Sequence, residues 1–176
     1  KRHRVLRVCG RDPVERLAAL ASVEDPAEYR GLLTECDAHS PWIWKEPRLW
    51  LTIRFWSGLL DWSRMRVLLL RRDHMQAWVS MTQRRQIQTY GYARRYSESI
   101  HASLQQFLDA NAIRYLPVLF EDLIVKPERE VARLASFLGA DVAMDHLRST
   151  YDGVLYRRPK SFKDTVEAGL IYLKNY

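Results

Sequence analysis

The chain has 176 residues, 47% of them hydrophobic and 28% charged, a balance that supports one packed core and excludes a disordered tail or a fibrous repeat. Its 28 Lys and Arg against 21 Asp and Glu leave a formal charge of +7, which points to an anionic partner: nucleic acid, an anionic membrane surface or a phosphorylated cofactor. Two cysteines, Cys9 and Cys36, build no disulfide framework, so a reducing, cytoplasmic setting is expected, and neither a signal peptide nor an apolar run near the roughly 20 residues of a membrane span is visible.

The chain opens on Lys1-Arg2-His3-Arg4 and stops within an amphipathic stretch, Ile171 to Tyr176. It is therefore read as a single domain, residues 1–176, excerpted from a longer chain whose N-terminal part is missing. Asp12-Pro13-Val14-Glu15 and Asp25-Pro26-Ala27-Glu28 each supply an acidic N-cap, a proline at the first helical position and a glutamate that reaches back to the cap. Two early helices follow, with Leu17, Leu20 and Ala21, then Tyr29, Leu32 and Leu33, as their apolar faces.

Pro41-Trp42-Ile43-Trp44-Lys45 reads as a short buried strand ending at Glu46-Pro47. A helix is predicted from about Arg48, with Leu49, Ile53 and Trp56 at helical spacing. Val67 to Leu70 is a continuous apolar run, as in a parallel strand covered on both faces. A long helix from about His74 to the Tyr90 region comes next, then another capped at Ser97 or Ser99 and running to about Asn111. Tyr115 to Phe120 is a further strand, its Pro117 favouring an edge. Pro127 starts the clearest helix and Gly139 stops it. Strands alternating with helices predict an α/β domain, a parallel sheet flanked by helices.

Eight arginines and one acid, Asp73, fall between Arg64 and Arg95, so this segment carries the whole net charge. Arg84, Arg85, Arg94 and Arg95 fit a solvated helix face as well as a binding surface. Arg71 and Arg72 end an apolar strand, and in parallel sheets those ends face the ligand crevice. A guanidinium there, beside a helix N-terminus, is equipped to grip phosphate.

Arg72-Asp73-His74, with Ser80 eight residues beyond Arg72, resembles the 3′-phosphate element of the sulfotransferase family, normally Arg-Asp/Asn-Pro with Ser at that offset. Trp44-Lys45-Glu46-Pro47-Arg48-Leu49 is similar to the Lys-Asp-Pro-Arg-Leu segment of bacterial sulfotransferase-like proteins. Phe120-Glu121-Asp122-Leu123, Pro127 and Phe137-Leu138-Gly139 resemble the family's Tyr-Glu-Asp-Leu…Pro…Phe-Leu-Gly stretch. Three departures stand beside the likeness. His74 replaces the usual proline. The Gly/Ser/Thr-rich loop for the 5′-phosphosulfate is absent and expected upstream of Lys1. The family's Arg-Lys-Gly loop has only a loose counterpart, Arg157-Arg158-Pro159-Lys160-Ser161. Arg11-Asp12-Pro13 mimics the tripeptide, but Ala19 stands where its serine would be, so it is read as a helix cap.

The resemblance implies a P-loop-like sulfotransferase fold without its first strand and donor loop. It also implies transfer of a sulfuryl group from 3′-phosphoadenosine 5′-phosphosulfate (PAPS) to a hydroxyl of a carbohydrate or small metabolite, with 3′-phosphoadenosine 5′-phosphate (PAP) as product. Arg72 and Ser80 would bind the 3′-phosphate, and Lys45 would meet the leaving oxygen or the transferring group. No metal is implied. The general base is left open among His39, Glu46 and Asp37, while Glu121 and Asp122 are expected to support the fold by bonding loop backbone or an arginine. The tryptophans between Trp42 and Trp62 are read mainly as core. No Walker loop, dinucleotide fingerprint, zinc spacing or nucleophile elbow is present. Nucleic acid is not an expected partner, since no nucleic-acid fold signature accompanies the arginines. The alternatives are a non-catalytic protein of the same fold and a basic polyanion-binding module.

Overall fold

In a computed structural model, residues 27–45, 49–151 and 160–175 are described. In chain order they form α1 (Ala27–Ala38), α2 (Leu49–Trp56), β1 (Val67–Arg71), α3 (His74–Gln83), α4 (Tyr90–Ala110), β2 (Tyr115–Leu119), α5 (Phe120–Val125), α6 (Pro127–Leu138), α7 (Met144–Tyr151) and α8 (Phe162–Asn175). The caps at Asp12 and Asp25 and the segment 157–159 lie outside the described residues.

The architecture is α/β, mostly helical, around a small parallel sheet of β1 and β2 in which Val67 faces Tyr115 and Arg71 faces Leu119. Both strands therefore end at the same edge of the sheet. A parallel pair needs a crossover, and α3 and α4 supply it. Ile53, Leu69, Leu104, Leu108 and Ile113 form one buried cluster that joins α2, β1 and α4. A second, of Trp78, Val79, Ala93 and Ala168, joins α3, α4 and α8.

Four expectations need correction. Pro41 to Lys45 is an irregular loop, not a buried strand, and Ile43 is 96% exposed. A strand needs a backbone partner, and among the described residues β1 pairs with β2 alone. The loop is held instead by side chains: Trp42 Nε1 donates to Asp37 Oδ1 at 3.0 Å, and Trp44 meets Trp56 edge-on at 4.6 Å. Second, β1 is covered on one face only, because Leu69 is buried while Leu68 and Leu70 are exposed.

Third, the long helix after β1 stops at Gln83. Arg85 adopts φ 63° and Gln86 N–H turns back to the Met81 carbonyl, which breaks the helical ladder. Thr89, not Ser97 or Ser99, then caps α4 by accepting the Tyr92 N–H at 3.1 Å. Fourth, Phe120 opens α5 and is not the last residue of β2. The Pro127–Leu138 helix stands as read, with Gly139 at φ 66°. Its Glu130 is fully buried, bonded to Arg133 at 2.5 Å, while Arg133 also donates to the Pro117 carbonyl and so pins α6 to β2.

Candidate functional site

The shared C-terminal edge of β1 and β2 gathers the charged groups. Arg72 leaves β1 and turns toward the end of β2. Its Nε lies 3.4 Å from Glu121 Oε1, and its guanidinium carbon sits 4.9 Å from the centre of the Phe120 ring. The other Glu121 oxygen accepts the Asp73 N–H at 2.9 Å. One carboxylate thus fixes both the arginine and the backbone of the turn that carries it, the supporting role expected of Glu121. Asp122 pairs with Lys126 at 3.6 Å. Among the described residues, neither Nη group of Arg72 has an acceptor.

Asp73 is the N-cap of α3, its Oδ1 accepting the Gln76 N–H at 2.9 Å. The positive end of this helix is therefore already answered by a carboxylate, and anion binding falls to side chains. Beyond it, His74 Nε2 lies 3.6 Å from Glu98 Oε1, and Arg94 Nε donates to the same oxygen at 2.8 Å. The Arg94 hydrogen bond, with the charges of Arg94, His74 and Arg71, holds the Glu98 carboxyl below the usual glutamate range.

Ser80 lies within α3, half-buried, one turn beyond Gln76 and one turn before Gln83. Its hydroxyl makes no hydrogen bond among the described residues, so it does not bond its own helix backbone. Its two neighbours hold the start of α8. The Gln76 amide brackets the Lys160 peptide, donating to its carbonyl at 3.1 Å and accepting its N–H, while Lys160 Nζ donates to Gln83 Oε1 at 2.8 Å. Ser161 and Asp164 close this end with a reciprocal cap, Ser161 N–H to Asp164 Oδ2 at 2.7 Å and Asp164 N–H to Ser161 Oγ at 3.3 Å. Only the Lys-Ser of Arg157-Arg158-Pro159-Lys160-Ser161 hinted at this approach.

Lys45 is exposed on the loop between α1 and α2, and no hydrogen bond or ion pair joins it to Arg72 or Ser80. The same loop lines two clefts. One, of about 190 Å³, is apolar, with Leu32, Cys36, Ile43, Trp44 and Trp56. The other, of about 240 Å³, carries Asp37, Asp61 and Arg64. Trp42 and Leu33 belong to both. Of the tryptophans in this stretch Trp56 is buried, whereas Trp42 and Trp44 are half-buried cleft walls. Of the candidate bases, Asp37 is engaged by Trp42 and by Arg64 at 3.3 Å. His39 Nδ1 lies 3.0 Å from the Glu35 carbonyl, and Glu46 lies outside the described residues.

No group of three or more His, Cys, Asp and Glu placed to hold a metal ion exists among the described residues, and none of their helices is long and apolar enough to cross a membrane. No curated protein and no solved structure matches the chain. A family model does, over residues 11–144, a span that takes in both strands, the crossover helices, Arg72 and Ser80. On that match, the chain belongs to the sulfotransferase family.

Proposed function

We propose that the chain is a PAPS-dependent sulfotransferase that acts on a hydroxyl of a carbohydrate or small metabolite. The reading rests on one observation: Arg72 is held at the strand end by Glu121 and Ser80 follows on the next helix, and among the described residues neither Nη group of Arg72 nor the Ser80 hydroxyl has a partner. A phosphate offers acceptors to both, and a guanidinium binds it through paired charge-assisted bonds. Lys160 stands on the side of α3 that carries Gln76 and Gln83, where its charge adds to the same field.

The donor supplies an activated sulfuryl group. The chain's share is to hold the 3′-phosphate with Arg72 and Ser80, which sets register, and to bring a cation to the departing oxygen, where negative charge builds. Lys45 is the residue assigned to that oxygen or to the transferring group. Its exposed position on an irregular loop leaves the ammonium free to approach.

Calorimetric titration of PAP into the wild-type protein, Arg72→Ala and Ser80→Ala tests the nucleotide site. Binding that weakens by about 1.5–3 kcal/mol in Arg72→Ala is expected, the size of a hydrogen bond to a charged group. Absence of binding by a folded wild-type protein overturns the reading.

A further inference from the structure

We propose that the two clefts beside the loop of residues 41–45 form one binding site for a neutral, hydroxylated compound that carries an apolar ring, such as an aryl glycoside. None of the lining residues belongs to the end of β1 or to α3. A compound of this kind has the hydroxyl that the proposed transfer needs, but its binding here does not rest on that reading.

The walls are fixed by contacts of their own. Trp56 is buried at the end of α2, where Tyr29 of α1 meets it edge-on at 5.3 Å and Trp44 of the loop at 4.6 Å. Trp42 donates its Nε1–H to Asp37 Oδ1, and Asp37 Oδ2 accepts from Arg64 Nη1 at 3.3 Å. The single N–H of that indole is therefore engaged within the protein, which leaves the ring for apolar contact. Ser63 sets the orientation of Asp61, its N–H and hydroxyl both donating to Oδ1 at 3.0 and 2.6 Å.

The clefts differ in chemistry and share a border. The one of about 190 Å³ is lined by Leu32, Cys36, Ile43, Trp44 and Trp56, with no charged side chain. The one of about 240 Å³ carries Asp37, Ser40, Asp61 and Arg64. Trp42 and Leu33 line both. Each alone falls short of an ordinary ligand pocket, about 300–1,000 Å³, and the two together reach that class.

A ligand that fills both is apolar at one end and polar at the other. In the polar cleft, Asp61 Oδ2 and the Nε and Nη2 groups of Arg64 have no partner among the described residues. An acceptor and several donors thus stand open in one cleft. A hydroxyl both donates and accepts, so neighbouring hydroxyls satisfy both kinds of group. An anionic head would meet two carboxylates against one guanidinium, and a cationic head would leave Arg64 unanswered. At the apolar end a flat ring lies well against indole side chains.

Protein-detected NMR titration of phenyl β-glucoside into the full chain tests the site, read at the Trp42 and Trp44 indole N–H signals. Glucose, phenol and phenethylamine are the comparison ligands. Phenyl β-glucoside is expected to move both signals and to bind about tenfold more tightly than glucose or phenol, since each of these fills one cleft only. Ile43→Ala and Asp61→Asn probe the clefts separately, and both residues are exposed, so the fold is retained. Asp61→Asn also keeps an oxygen for Ser63. Ile43→Ala is expected to weaken phenyl β-glucoside and phenol about threefold and to leave glucose unchanged. Asp61→Asn is expected to weaken phenyl β-glucoside and glucose about tenfold and to leave phenol unchanged. Equal affinity for phenyl β-glucoside and phenol, or glucoside binding that ignores Asp61→Asn, overturns the joined site. Phenethylamine binding more tightly than the glucoside overturns the neutral head group. Indole signals that move with none of the four ligands overturn the proposal as a whole.

Discussion

The Glu121 carboxylate lies 3.4 Å from Nε of Arg72, across 49 residues of sequence. The arginine proposed to grip the donor is therefore not a free surface cation. One edge of its guanidinium is taken by an acid from the end of the neighbouring strand, its face rests on Phe120, and among the described residues the Nη groups have no acceptor.

The Glu121 interaction can be separated into charge and hydrogen bond. Glu121→Gln keeps an oxygen for the Asp73 N–H but loses the ion pair, and is expected to hold stability while weakening PAP binding several-fold. Glu121→Ala loses both and is expected to cost about 0.5–1.5 kcal/mol of folding stability in urea unfolding, the net scale of one hydrogen bond to an exposed donor. Equal stability of the two variants counts against the backbone role.

At the middle of β2, where Arg133 donates to the Pro117 carbonyl, Arg133→Ala leaves Glu130 fully buried without its 2.5 Å partner. The expected loss is about 2–3 kcal/mol, below the full range for buried pairs because Arg133 is itself partly exposed. Double replacement by Glu130→Met and Arg133→Leu should recover part of that loss, since the uncompensated charge disappears with its partner. Chemical denaturation of the three proteins decides this.

Gly139 ends α6 at φ 66°, and a Cβ added there meets nothing within 4 Å. The penalty for Gly139→Ala is therefore conformational and not steric, about 1 kcal/mol, visible as a lowered Tm. Gly139→Asn should lose less, because asparagine tolerates the left-handed region.

Glu98 offers a pH prediction with a definite sign. Its carboxyl is held below the usual range chiefly by the Arg94 hydrogen bond, so the folded state favours the ionised form. The stability this contributes is present above the unfolded glutamate value and disappears as pH falls through the lower, folded one. A carboxyl-detected NMR titration should place Glu98 below ordinary glutamates, and Arg94→Ala should return it toward them. An unchanged Glu98 titration in Arg94→Ala contradicts the assigned cause.

The parts legible in the sequence were those with local causes. Val67 to Leu70 announced a strand by its apolar run, and Pro127 with Gly139 bracketed a helix whose ends are set by backbone chemistry alone. The position of Arg72 at a strand end and of Ser80 on the helix after it could be read from the chain, because an apolar run and the helix that follows it are local. Pro41 to Lys45 misled, since alternation of Trp, Ile and Trp says nothing about whether a neighbouring strand exists to pair with. The break at Arg85 was hidden because no glycine or proline marks it; Arg85 takes a positive φ without the usual residue. Glu98 opposite His74, and Gln76 and Gln83 around Lys160, were illegible because each contact joins helices through tertiary packing.

The strand pairing also orders events in time. The crossover hairpin of α3 and α4 can assemble from neighbours in the chain, and with it the approach of Glu98 to His74. Arg72 meets Glu121 only after the two strands close a loop of 49 residues, and closures of that span come late and cost more entropy than local ones. A folding chain therefore carries the His74–Glu98 contact before the Arg72–Glu121 one. A nucleotide bound as proposed against Arg72 would meet its fixed arginine only once the strands have paired, so it should slow unfolding while leaving the folding rate almost unchanged.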